Sequence, residues 1–174
     1  MPDLPAILAS ARATIDSAAD RLAAADARTE VVAEFVAPRR RFGIPRPATM
    51  RLEGRAWRLG VLLLTQDGAL RATGETIRIV DPGTRSAVSH TAEVRRELRQ
   101  AARRAGIAEG DTVDLGSRPI PLDDSLASAV GPVVLRGDAV RVRWTPTGGD
   151  AALVDLDRYL DERVDLLVHP PQGA

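Results

Sequence analysis

The chain has 174 residues, 44% hydrophobic and 28% charged, so it is long enough to bury a core, and its 24 basic and 24 acidic residues leave no net charge. It has no cysteine, which excludes disulfides, thiolate catalysis and most structural zinc sites. It has no lysine either, which excludes a P-loop, Schiff-base chemistry and the S-x-x-K hydrolases.

Asp3 is placed to cap a first helix whose apolar positions, Leu4, Leu8, Ala11, Ile15, Ala18 and Leu22, recur every three or four residues on one face. Pro5 falls in its first turn, where a missing N–H costs little. A second, short helix is expected from Thr29, burying Val31, Val32, Phe35 and Val36 and stopping before Pro38. The same β-branched residues suit a strand. Residues 38–47 read as a loop, with three prolines and Gly43.

Trp57–Leu64 reads as one strand buried on both faces, because its apolar residues run on without alternation. Asp67-Gly68 marks a hairpin. The return strand over 69–80 changes parity between Leu70 and Ala72 and the later Ile77 and Ile79, which a bulge near Gly74 would reconcile. Asp81-Pro82-Gly83 then turns the chain toward a helix from Ser89 or Thr91 to Ala105. Val94, Leu98, Ala101, Ala102 and Ala105 form its inner stripe, and Gly106 closes it.

Short strands are expected at Thr112–Leu115 and Pro119–Leu122, the second at an edge because of its prolines. Asp123 or Asp124 caps a short helix over 125–130. Val133–Leu135 and Ala139–Trp144 make a second hairpin around Gly137-Asp138, with Val140, Val142 and Trp144 on one face. A last helix from Ala151 to about Leu167 takes Asp150 as its cap and buries Leu153, Leu156, Leu160, Val164 and Leu167.

The predicted architecture is therefore α+β: an antiparallel sheet of five or six strands with helices packed mainly on one face. Residues 1–37 form an N-terminal helical segment on the main domain. Residues 38–56 are a basic, proline-containing loop, 57–168 a core with a single aliphatic interior, and 169–174 a frayed tail.

Charge is segregated. Residues 38–60 hold seven arginines against Glu53 alone, whereas residues 150–165 hold six acids and two arginines. Arg39, Arg40, Arg41 and Arg46 are the candidate contacts to an anion or a partner. The acidic helices are their expected match, within the chain or across a homodimer. Nucleic acid is not the expected partner, because few aromatics interleave with the arginines.

Other candidates have simpler roles. Ser89 and His90 are adjacent, but neighbours at a helix start point about 100° apart, and no G-x-S-x-G elbow presents the serine. Capping suits Ser89 or Thr91. His169 lies in a proline-rich tail. Asp111, Asp114, Asp123 and Asp124 could offer oxygens to Mg²⁺ or Ca²⁺, yet their spacing fits no EF-hand. Gly148-Gly149 and Arg136-Gly137-Asp138 read as turns. No catalytic residue, metal or cofactor is assigned. The longest apolar run, Val61–Leu64, is far short of the ~20 residues of a membrane helix. The N-terminus lacks a signal-peptide pattern, so a cytoplasmic address is expected.

The stretch Arg39-Arg40-Arg41-Phe42-Gly43-Ile44-Pro45, followed by Trp57-Arg58-Leu59-Gly60-Val61-Leu62-Leu63, resembles a small family of uncharacterised actinobacterial proteins over roughly residues 39–144. Some members are labelled glutaminase. The serine-dependent glutaminase pattern needs S-x-x-K, from which a lysine-free chain departs, so the resemblance implies no activity and no site residue. The expectation is a non-enzymatic interaction or structural domain, self-associating as a homodimer. The alternatives are an arginine-based nucleic-acid or anionic-ligand binder, and a hydrolase of unknown substrate.

Overall fold

The apolar stripe of the N-terminal segment folds into α1 (Leu4–Ala24), which buries Ala11, Ile15, Ala18 and Leu22. The Asp3 carboxylate caps it by accepting the Ala6 N–H at 3.4 Å. The computed structural model describes residues 3–80, 90–145 and 148–171. Next come β1 (Glu30–Val36), β2 (Arg39–Arg41), β3 (Ile44–Arg46), β4 (Thr49–Leu59), β5 (Leu62–Thr65), β6 (Leu70–Ala72) and β7 (Glu75–Arg78). After α2 (His90–Arg104) follow β8 (Thr112–Leu115), β9 (Arg118–Pro119), β10 (Val133–Arg136), β11 (Ala139–Arg143), β12 (Leu153–Asp155) and α3 (Leu156–Val168). None of the described helices is long and apolar enough to cross a membrane.

The class is α+β, but the sheet is neither purely antiparallel nor of five or six strands. Seven strands pair in the order β7-β8-β1-β4-β5-β6-β9, with separate ladders β10-β11-β12 and β2-β3. β1 and β8 run parallel, with Val31 opposite Val113 and Ala33 opposite Leu115. Hairpin signals report only neighbours in sequence, and this pair is joined by a long crossover that contains α2.

The chain divides into two compact units. The first comprises Met1–Thr29, Ala56–Thr73 and Arg118–Ala174, the second Glu30–Arg55 and Gly74–Ser117. Each has its own apolar cluster, so the single interior expected from the sequence is two. In the first unit Ile15, Leu22, Trp57, Leu62, Val142 and Leu160 share one core. In the second, Val31, Ile77, Leu98, Ala101 and Val113 share another.

Several segments differ from the sequence expectation. The valines after Thr29 form β1 instead of a second helix, because β-branched residues pack well on a pleated surface. Trp57–Leu64 is not one strand: Leu59 pairs with Leu62 across a tight turn at Gly60-Val61. The parity change over 69–80 is no bulge. β6 pairs with β5 and β9, while β7 pairs with β8, so two strands belong to two units. The final helix begins late, because Leu153 and Val154 extend the β10–β11 hairpin as β12, and Asp155 takes the N-cap position of α3 without a side-chain cap bond. Val94 and Trp144, expected inside, are 42% and 51% exposed.

Other expectations hold. The Asp67-Gly68 and Gly137-Asp138 turns close hairpins, and Asp123 caps a short 3-10 helix through the Ser125 N–H at 3.0 Å. At the first of these turns the Thr65 hydroxyl bonds to the Asp67 carboxylate. That bond, with the Asp67 and Ala69 backbone N–H groups, holds the carboxyl below its usual range. A lowered folded value stabilises above the unfolded pKa and is lost as pH falls through the folded one. The turn therefore weakens on acidification.

Tyr159 locks the Gly60 turn. Its hydroxyl donates to the Leu59 carbonyl at 2.8 Å and accepts the Val61 N–H at 3.0 Å. A Cβ at residue 60 would overlap that hydroxyl, and φ is +65°, so glycine is required twice over. Tyr159→Phe leaves both backbone groups without this partner. It is expected to cost about 1–3 kcal/mol, measurable by urea unfolding. An unchanged midpoint would show that the hydroxyl is not the lock.

Candidate functional site

The basic segment expected to be a loop is a two-stranded hairpin in the second unit. Arg39 pairs with Arg46, Arg40 with Pro45 and Arg41 with Ile44. The two-residue turn is Phe42-Gly43, with φ of +51° and +78°. Positive φ at both central positions is the type I′ pattern, whose twist suits a tight hairpin. Glycine takes that conformation freely; phenylalanine is strained there. Pro38 and Pro47 bracket the arm, and prolines suit such edges because they demand no ladder partner.

Alternation assigns the faces. Arg39 and Arg46 share one face with the 41 and 44 positions, and Arg40 and Pro45 share the other. Every residue from Ala37 to Pro47 whose side chain is described is exposed. Phe42 at the tip is 91% exposed and Ile44 is 63% exposed. Arg41 is described by its backbone alone.

Residues directly opposite in an antiparallel pair hold their Cβ atoms about 4.5–5.5 Å apart, and like charges there repel. Arg39 and Arg46 are such a pair. Among the described residues, no acid lies within ion-pair distance of Arg39, Arg40 or Arg46. The arginines of β4 differ. Arg51 pairs with Glu34, and Arg55 meets Asp111 at 3.4 Å. Nearby, the Arg104 guanidinium donates to the Ala48 carbonyl at 2.9 Å. This bond ties the basic last turn of α2, with exposed Arg103, to the chain leaving the hairpin.

Three of the four acids on α3, the helix expected as the hairpin's match, already stand beside a basic side chain. Asp161 meets Arg21 at 2.6 Å, Glu162 meets Arg158 at 3.0 Å, and Asp165 meets the His169 ring at 3.1 Å. Asp155, at its N-cap position, meets Arg141 at 3.0 Å. A cleft of about 700 Å³ runs between α1 and α3, lined by Ser10, Thr14, Ser17 and the Arg21–Asp161 pair. Asp157 and Arg158 line it as well, so both signs of charge stand at its wall.

Among the described residues, no three His, Asp or Glu side chains gather as a metal site would need. Asp114 is fully buried in the second unit, and its carboxylate accepts the Gly74 N–H at 2.9 and 3.1 Å. Asp111 faces Arg55, and Asp123 is a helix cap in the first unit. Ser89, the Asp81–Gly83 turn and the side chains of His90 and Thr91 lie outside the described residues. Asp150 makes no side-chain cap bond; it lies 3.9 and 4.0 Å from Arg136 and Arg143. Comparison with known protein families, characterised proteins and solved structures finds no match.

Proposed function

We propose that this chain is a non-enzymatic interaction domain whose β2–β3 hairpin takes an anionic partner. One observation carries the reading: Arg39 and Arg46 stand opposite each other on an exposed ribbon with no acid beside them among the described residues. Two opposed guanidinium groups repel until an anion sits between them. Each presents a planar fork of donors matched to phosphate or carboxylate, and such charge-assisted bonds contribute about 1.5–3 kcal/mol each.

Binding of fluorescent polyphosphate, a polyglutamate peptide and oligonucleotides at low salt tests this. At least one should bind, and Arg39→Gln with Arg46→Gln should weaken it about tenfold or more without altering the melting temperature. No binding to any polyanion, or binding indifferent to the double substitution, would overturn the reading.

A second copy of the chain is a further possible source of the anionic surface. The second unit holds thirteen arginines against ten acids, and the first eleven against fourteen. Such segregation favours a salt-sensitive contact between copies, although exposed pairs contribute only about 0–1 kcal/mol each. Sedimentation velocity at rising ionic strength decides it; a monomer throughout removes the homodimer.

A further inference from the structure

We infer that the partner of the hairpin is duplex DNA, held by its phosphates on the arginines and wedged at a base step by Phe42. This rests on the anion-binding reading above and names the occupant. Three features of the arm bear on it.

The first is the ribbon itself. Two short antiparallel strands joined by a two-residue turn make a narrow probe of the kind that enters a DNA groove. Its flanks carry Arg39, Arg40 and Arg46 and no acid. The second is the tip. An acidic peptide or a free phosphate would need only the guanidinium groups. The structure also holds Phe42 91% exposed on a positive-φ backbone, with Ile44 63% exposed beside it. Both apolar exposure and strain there disfavour the free state, and an apolar slot would relieve the exposure. Phenylalanine and isoleucine flanked by arginine are the groups that wedge between base steps from the minor groove. The third is the base of the arm, where Arg104 anchors the exposed Arg103 turn beside the hairpin's exit.

Duplex is favoured over single strands by the number of aromatics. A single-strand platform stacks successive bases on successive rings. Here one ring stands at a tip, which suits one step of a stacked helix.

The test uses the full chain with short fluorescent duplexes between about 50 and 200 mM salt. Wild type is expected to bind with a steep salt dependence and to shorten the end-to-end distance of a doubly labelled duplex. Arg39→Gln with Arg46→Gln should reduce the slope of log affinity against log salt by about two. Phe42→Ala should weaken binding about tenfold, leave that slope unchanged and abolish the bend, and Phe42→Trp should restore both. Unchanged melting temperatures show that these variants fold. Tighter binding to single strands than to duplex, or a bend indifferent to Phe42, would overturn the inference. Hairpin-dependent binding of polyphosphate or polyglutamate with no stronger binding of DNA would overturn it too, and would leave the anion-binding reading standing. If no polyanion binds, both fall together.

Discussion

Alanine at position 74 is expected to destabilise the chain by about 3 kcal/mol or more, lowering its melting temperature by about 6–12 °C. A Cβ there would lie 2.7 Å from the Leu115 carbonyl carbon, 2.8 Å from the Ser117 nitrogen and closer still to the Leu115 oxygen. All three are backbone atoms, so no side chain can swing aside. Leu115 is paired on both sides of β8, with Ala33 of β1 and Glu75 of β7, and relaxing it disturbs both ladders. The same shift would move the Gly74 N–H away from the buried Asp114 carboxylate. A buried charge that loses a donor costs more than a neutral group would. Gly131→Ala is the control, since a Cβ there meets nothing within 4 Å and no positive φ is required. Thermal unfolding of both variants, followed by circular dichroism, checks the expectation. A Gly74→Ala chain that melts with Gly131→Ala would mean the β7–β8 contact is looser than its geometry.

What could be read from the sequence was local. The α1 stripe was legible because Ala11, Ile15, Ala18 and Leu22 keep helical spacing over about three turns. Asp67-Gly68 and Gly137-Asp138 were legible because their turn chemistry is specific. The parallel β1–β8 pair was not, since nothing in Val31–Ala33 names Val113–Leu115 as its neighbour. Two cores looked like one for the same reason. β4 runs unbroken through both units, residues 49–55 in the second and 56–59 in the first, so no linker marks the boundary.

The candidate site was half legible. Clustered arginines are visible in any listing of residues 39–46, but their arrangement is not. Phe42-Gly43 does not announce a type I′ turn as Asn-Gly would, and three prolines argued for irregular chain. Once the ribbon is seen, Arg39 stands opposite Arg46 and Phe42 becomes a tip. The Gly43 position was the available signal, with residues on either side extending outward to flanking prolines. The sequence also suggested that acidic α3 would answer the basic segment. It does not show that Arg21, Arg158 and His169 already stand beside those acids.

The deepest dependence of the first core lies at Trp57, and Trp57→Ala is expected to cost about 3–5 kcal/mol, lowering the melting temperature by about 6–20 °C. The ring is 3% exposed and packs in the cluster that contains Ile15, Leu22, Val142 and Leu160. Its indole N–H also donates to the Ala27 carbonyl at 3.1 Å. Ala27 follows the end of α1, where its own N–H bonds to the Leu22 carbonyl at 3.0 Å. One side chain therefore fills the core and fixes where the chain leaves α1 to begin the sheet. The two contributions separate by substitution. Trp57→Phe keeps most of the aromatic body and removes the donor, so it should cost about 1–3 kcal/mol, the remainder of the alanine effect being cavity. Trp144→Ala supplies the contrast, because that ring is 51% exposed and outside the buried cluster. It should fall within about 1 kcal/mol of wild type. Urea unfolding of the three variants distinguishes them. If Trp57→Ala loses no more than Trp144→Ala, the first core does not depend on this ring, and the α1-to-sheet junction is held by the aliphatic residues alone.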